Sequence, residues 1–507
     1  ACSISDYAIA VGASSEASGK NSIAFGTGAS ASGLNAVALG IGAKASATNA
    51  LAFGAGSEAS GINAVALGAG SKASATNALA FGAGSTASGN NAVAIGSGAT
   101  ASCANALAFG AGSTASQFNA IAIGTLATAE GNDAFALGTG SKASATNAAA
   151  LGTNSVANEV NALALGSSSK ATAINATAIG ADATASETNA IALGSGSQSK
   201  GINAIALGVD ASAVATNAMA YGSGSNASGI NSLALGAGAT TNQSGSVAIG
   251  SGSSSLATNS TAIGFNSRSN GVNAIAIGAG TSATCANSFV LGAGAIANGV
   301  GAGAIGYLAN TQGVDAMAVG VMACAMGNNS MALGTSACST GVDSIAIGFS
   351  SCASNTNASA IGTNATANGT NSMAFGANSR ASGTNSTAIG AQSFADQTNS
   401  FVIGPNTTAC GVNAGAIGAS ANANGNSSLA IGVQSFAEQT SSLALGTNAA
   451  SIGTNSTAIA VNASATGANS MAIGYFSTSN GVNSAALSVQ ANASGNNSVA
   501  LGVFANS

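Results

Sequence analysis

A fourteen-residue period runs from Tyr7 to Ser507 without an insertion or deletion. Numbered from its usual asparagine, one unit reads Asn35-Ala36-Val37-Ala38-Leu39-Gly40-Ile41-Gly42-Ala43-Lys44-Ala45-Ser46-Ala47-Thr48. The next opens at Asn49, and the phase still holds at Asn497. Thirty-five full units and an eleven-residue partial one fill residues 7–507, behind a lead-in at 1–6. A period that never slips builds stacked copies of one coil, each burying its inner face only against its neighbours. The chain is long enough for several domains, but the unbroken phase predicts one uninterrupted solenoid of about 36 coils.

Both halves of the unit alternate with period two, the mark of a strand. Position two is always Ala or Ser, and position four is Ala except at Val290 and Val402. Positions three and five carry bulk, as in Leu51 and Phe53. Positions nine and eleven hold only Ala, Ser or Thr, while ten and twelve vary and are mostly polar. Each coil therefore reads as strand, turn, strand, turn, with glycines at positions six, eight and often thirteen suited to turns with unusual backbone angles. Stacked coils give two parallel sheets whose small faces meet, so the roll is thin and the large residues at three and five point outward. None of the 21 charged residues falls at positions two to six, nine or eleven, as this arrangement requires.

Position one is Asn in 28 of 36 units. Stacked at about 4.8 Å, the spacing of paired strands, Asn21, Asn35, Asn49, Asn63, Asn77 and Asn91 are expected to form an amide ladder or to serve as backbone-tolerant turn residues. Either role is structural.

Position five is apolar in every unit: Val11, Phe25, Leu39, Phe53, Leu67, Phe81, Ile95, Phe109, Ile123, Leu137 and onward to Leu501. Thirty-six coils at about 4.8 Å give a rod of roughly 170 Å with a continuous apolar stripe. That area exceeds the few hundred Å² a soluble monomer normally exposes, so the stripe is expected to be an oligomer interface around a shared axis. Phe alternates with Leu or Ile through Phe109, and large–small layers interdigitate well. Position three weakens at Ala149, Thr177, Thr261, Gly303, Ser359, Thr387, Gly415, Thr457 and Ala485, which predicts a looser C-terminal part.

The recurring element seen at Asn91-Ala92-Val93-Ala94-Ile95-Gly96, Ser246-Val247-Ala248-Ile249-Gly250 and Asn497-Ser498-Val499-Ala500-Leu501-Gly502 resembles the head repeat of trimeric autotransporter adhesins. The resemblance covers nearly the whole chain. It implies an all-β, left-handed parallel β-roll, three copies around a hydrophobic axis, and an extracellular or cell-surface role in adhesion to an unidentified surface or matrix ligand. No neck segment, heptad stalk or membrane-anchor strand is read from the sequence, so the family's usual route of surface attachment is not supported here.

The remaining composition excludes more than it suggests. There is no His and no Trp, and the few carboxylates are dispersed, so no triad, His-based metal site or paired acid–base site is expected; neither is any cofactor. Eight Lys and Arg scattered singly give no nucleic-acid footprint. No apolar run is long enough for a helical membrane span, and a chain opening at Ala1 with no signal peptide reads as a processed product. Cys324, Cys338 and Cys352 share position ten on successive coils, within reach of a disulfide. Phe394 and Phe436, also at position ten, depart from its polar norm and are candidates for an exposed contact patch. Three other roles compete. Residues 1–6 are too short to cover the first coil and the last unit stops part-way, so exposed β-edges point to an end-to-end filament or sheath subunit. A phage-type fibre and an ice-binding solenoid are further alternatives, the last disfavoured by the mixture of Ser, Thr, Lys, Glu and Phe at positions ten and twelve.

Overall fold

Positions three to five of each unit form a three-residue strand and positions ten and eleven a two-residue strand, as in Leu51–Phe53 and Glu58–Ala59. The computed structural model describes residues 1–507, with no helix, as two units, Ala1–Ser253 and Ser254–Ser507. Each is a parallel β-solenoid, and along the chain the strand pairs recur about every fourteen residues, about 36 turns in all. Register follows the repeat: Leu51, Val65 and Leu79 are direct partners, as are Glu58, Lys72 and Thr86. Parallel pairing in exact repeat register puts identical positions above one another, so a property repeated in sequence becomes a row on the surface.

The space between the two sheets is filled by side chains no larger than alanine or serine in most coils. Ala52, Ala59, Ala64 and Ala66 are fully buried. The largest wholly buried side chains are Val290 and Val402, followed by Thr241, Thr281, Thr311 and Thr407. Such a core places two backbone layers close together, and stability rests on the ladder bonds between coils as much as on buried bulk. Serine at position nine returns its hydroxyl proton to the carbonyl of position six, as in Ser57 to Gly54 at 2.9 Å and Ser85 to Gly82 at 2.8 Å.

The two turns of a coil share one design. The amide of position nine donates to the carbonyl of position six, as in Ala43 to Gly40 (3.3 Å), and the amide of position two to that of position thirteen, as in Ala36 to Gly33 (3.1 Å). The third residue of each turn has positive φ, the type II requirement. At position eight this is most often Gly, as at Gly42 (φ +67°), with Asn and Ser also common, and at position one it is usually Asn, as at Asn49 (φ +60°). Asn is the non-glycine residue that tolerates this conformation best. Pro405 sits at the second position of its turn, where its fixed φ fits.

Two expectations need correction. Glycine at position thirteen does not adopt unusual angles. A Cβ there would strike the next coil's backbone, 1.9 Å from the Ala47 carbonyl oxygen in the case of Gly33, so the residue permits close approach and not a turn conformation. Residues 1–6 are not a lead-in outside the repeat: Cys2–Ser3 pairs in parallel with Glu16–Ala17 and so supplies a second strand to the stack.

Candidate interaction surfaces

Position five lies on the outer face of the three-residue strands, opposite the buried alanine at position four. Phe25, Phe53, Phe81 and Phe109 are about half exposed (57, 49, 47 and 50%), as are Val11 and, less so, Leu137. Leu39, Leu67, Ile95 and Ile123 between them are half-buried. From Phe25 to Phe109 the stripe is thus ridged, with a phenylalanine standing up on every second coil. In register, Leu39 is the partner of Phe25 and Phe53, and Leu67 of Phe53 and Phe81.

At three of the nine thin coils, position three has a large neighbour that the sequence pattern alone does not bring out. Phe occurs there three times, and the next coil carries a small residue each time: Phe135 pairs with Ala149, Phe289 with Gly303 and Phe401 with Gly415. A Cβ on Gly415 would lie 2.4 Å from the Phe401 ring. The ring therefore leans over the glycine and covers the space its missing side chain leaves. Gly303 is likewise buried, with the Met317 methyl 3.6 Å from its Cβ site. At Gly415 the small residue is thus a complement to its large neighbour.

Two further apolar rows border this face. Position fourteen contributes exposed Leu34, Ile62, Phe118, Ile174, Ile202 and Ile230. At the opposite turn, positions seven and eight contribute Ile41, Phe265, Tyr307, Leu308, Val321, Met322 and Phe349. Leu308 and Met322 hold φ of +54° at position eight, where glycine or asparagine is the easy choice. A shallow groove of about 380 Å³ opens near the position-fourteen row and is lined by Glu187, Lys200, Ile202, Val214 and Ile230. The alternation of Ile with Thr at position fourteen was the available signal for that row.

The asparagines do both things their position allows. Asn21 donates its Nδ2 hydrogen to Asn35 Oδ1 at 3.0 Å, Asn35 to Asn49, Asn49 to Asn63, Asn63 to Asn77 and Asn77 to Asn91, all within 2.9–3.1 Å. The same residues hold the positive-φ turn position. The run continues through Asn105 and Asn119 and ends on Asp133 Oδ1. Asn364 and Asn378 make the equivalent bond at position eight, 3.3 Å long.

On the outer face of the two-residue strands, Phe394 and Phe436 are half-buried, not exposed, because residues of the coils on either side flank them. The Arg380 guanidinium lies 5.3 Å above the Phe394 ring and holds Asp396 through two bonds of 2.8 and 2.6 Å. That ion pair raises the Arg380 pKa further above its already high value. Phe394 is thus already partnered within its own chain. Cys324, Cys338 and Cys352 are direct register partners in sequence, and all seven cysteines are free thiols. No helix is long and apolar enough to cross a membrane.

A family model described as the YadA head domain repeat, two copies long, matches eighteen stretches between residues 4 and 505. Its longest unmatched run is 282–311, which contains Phe289, Val290 and Gly303. Register is nonetheless kept there, with Ile275, Phe289, Gly303 and Met317 paired in turn. No curated protein matches the chain.

Proposed function

The chain belongs to the YadA head domain repeat family, and from that premise we propose that it is the rigid, non-enzymatic head of a homotrimeric cell-surface adhesin. Heads of this family are structural adhesin parts exposed at the surface and generally form homotrimers. The observation that carries the reading is the row of exposed large apolar residues at position five, on a sheet whose other face is already filled with buried alanine. Intramolecular packing has nothing left to cover that row, and three parallel copies around an axis would cover it with one symmetric contact. The alternating phenylalanine ridges favour interdigitation in such a contact. The outer face of the two-residue strands, where the charged residues Glu58, Lys72, Lys142 and Arg268 lie, would then face solvent and meet a surface or matrix ligand.

Sedimentation equilibrium across a range of concentrations tests the assembly. A mass near three times 46.6 kDa is expected. Phe53→Asp with Phe81→Asp should shift the protein toward monomer while its β-type circular dichroism is kept. A wild-type protein that stays monomeric at every concentration would overturn the reading.

A further inference from the structure

Three cysteines on three successive rungs of one sheet are a rare local density of thiols in a chain with seven. Cys324 pairs in register with Cys338, and Cys338 with Cys352, between Asn310 on one side and Thr366 on the other. Parallel register gives neighbouring Cα atoms a separation of about 4.8 Å, inside the range that a disulfide spans. The outer two are two rungs apart, roughly 9.6 Å, and disulfide geometry fails beyond about 7 Å. All three side chains are partly exposed, and the Cys352 Sγ lies 3.3 Å from Ser354 Oγ. They occupy position ten, on the opposite sheet from the apolar stripe, so burial of the stripe leaves them open to solvent. Their sulfurs run in a row instead of converging, and no group of three His, Cys, Asp or Glu side chains is placed to hold an ion.

We propose that Cys324, Cys338 and Cys352 form a thiol–disulfide exchange site for small disulfides, in which Cys338 bonds to one neighbour at a time and the other neighbour stays a free thiol. In the forward step the Cys324 thiolate attacks one sulfur of a small disulfide. The S–S bond of that molecule breaks and one small thiolate leaves. The deprotonated Cys338 sulfur then attacks Cys324 Sγ and expels the second small thiolate. The two departing thiolates take up the two protons that the cysteines gave up. Two protein thiols are oxidised to one disulfide and one small disulfide is reduced to two thiols. In a second step the Cys352 thiolate attacks Cys338 Sγ and releases the Cys324 thiolate, with no net oxidation. The bond thereby moves one rung and the reactive thiol changes place.

The first attack suits Cys324. A thiolate there would be stabilised by the neighbouring Cys338 thiol, which lowers its pKa from 9.0 to about 7 against the opposing effect of partial burial. Cys338 and Cys352, each set beside a neighbouring thiol that it would have to stabilise, are both raised. The end of the row at Cys324 is therefore the nucleophile near neutral pH.

The test uses the full chain with Cys2, Cys103, Cys285 and Cys410 replaced by serine, incubated with oxidised glutathione and read by intact mass under non-reducing conditions. The expected product has lost two hydrogens to an internal bond and carries at most one glutathione. Cys324→Ser and Cys352→Ser in that background should each still form the internal bond. Cys338→Ser should form none and take up one glutathione on each remaining cysteine. Serine already occupies position ten at Ser30, Ser212 and Ser254, so these variants keep the coil. Three glutathiones on the unvaried trio, or an internal bond in the Cys338→Ser protein, would overturn the proposal.

Discussion

At the scale of single residues, the repeat demands particular conformations more strictly than particular chemistries, and the exceptions show where strain resides. Position six is glycine except at Ala460 and Ser488, which hold φ of +110° and +123°. A side chain there is strained, and at the equivalent Gly54 a Cβ would lie 2.5 Å from the Gly68 carbonyl oxygen. Ala460→Gly should therefore stabilise its coil by roughly 1 kcal/mol, strain relief outweighing the added chain entropy. Gly54→Ala should destabilise by about 2 kcal/mol or more for the same reason. Amide hydrogen exchange of the adjacent coils measures both effects locally, which suits a solenoid that does not unfold all at once. The serines of position two divide in two. Ser344 gives its hydroxyl proton to the Gly341 carbonyl at 2.6 Å, whereas the buried Ser372 hydroxyl has no partner. Ser372→Ala should be neutral or stabilising by up to about 1 kcal/mol, and Ser344→Ala should cost about that much. A reversed order in the same exchange measurement would contradict this assignment.

At the scale of coils and sheets, side chains compensate one another between rungs. Gly415→Val on its own should destabilise, because its side chain enters space taken by the Phe401 ring. The same change with Phe401→Val should be tolerated, with a coupling of about 1 kcal/mol or more in a double-mutant cycle. Additive effects would show that the two rungs do not interlock. The asparagine ladder is separable in a similar way. Asn77→Gly keeps the turn conformation and removes both amide bonds, a loss of about 0.5 kcal/mol or somewhat more. Asn77→Ala adds the strain of positive φ on top of that, about 1 kcal/mol. These cases show what could be read from the chain beforehand. Strands, the small-residue interior and the rows at positions one and five followed from period and residue size, since a pleated strand offers only two faces and mostly Ala and Ser fit between close sheets. The role of Gly415 did not, because it depends on which rotamer Phe401 adopts one coil away. Nor did the pairing of Phe394 with Arg380 and Asp396, where a long side chain crosses to the next rung. Position thirteen was misread because glycine serves both unusual φ and close approach, and composition does not distinguish them.

At the scale of the whole molecule, the proposed assembly gives the two faces of each unit separate duties. In the proposed trimer the apolar face, bordered by the rows at positions fourteen, seven and eight, is the one that assembly would bury, and the polar face would stay in solvent. Substitutions at positions ten and twelve, such as Lys72→Glu, should leave the sedimentation mass unchanged, whereas charges at position five should shift it toward that of a monomer. A mass shift from a position-ten change would break this division. One property of the asparagine row reaches beyond any single coil. Every donor in it points the same way, Nδ2 of each asparagine toward Oδ1 of the residue fourteen later. The amide dipoles are therefore head to tail, and aligned dipoles sum. The run from Asn21 to Asn119 presents its positive end to the carboxylate of Asp133, and Asn329 does the same to Asp343. A carboxylate accepts but does not donate, so each such acid closes one run, as Asp133 does before the next begins at Asn147. Within each unit the row thus has an electrical sense as well as a chain sense, punctuated by its own aspartates, and copies of a unit laid side by side in parallel would all carry that sense in the same direction.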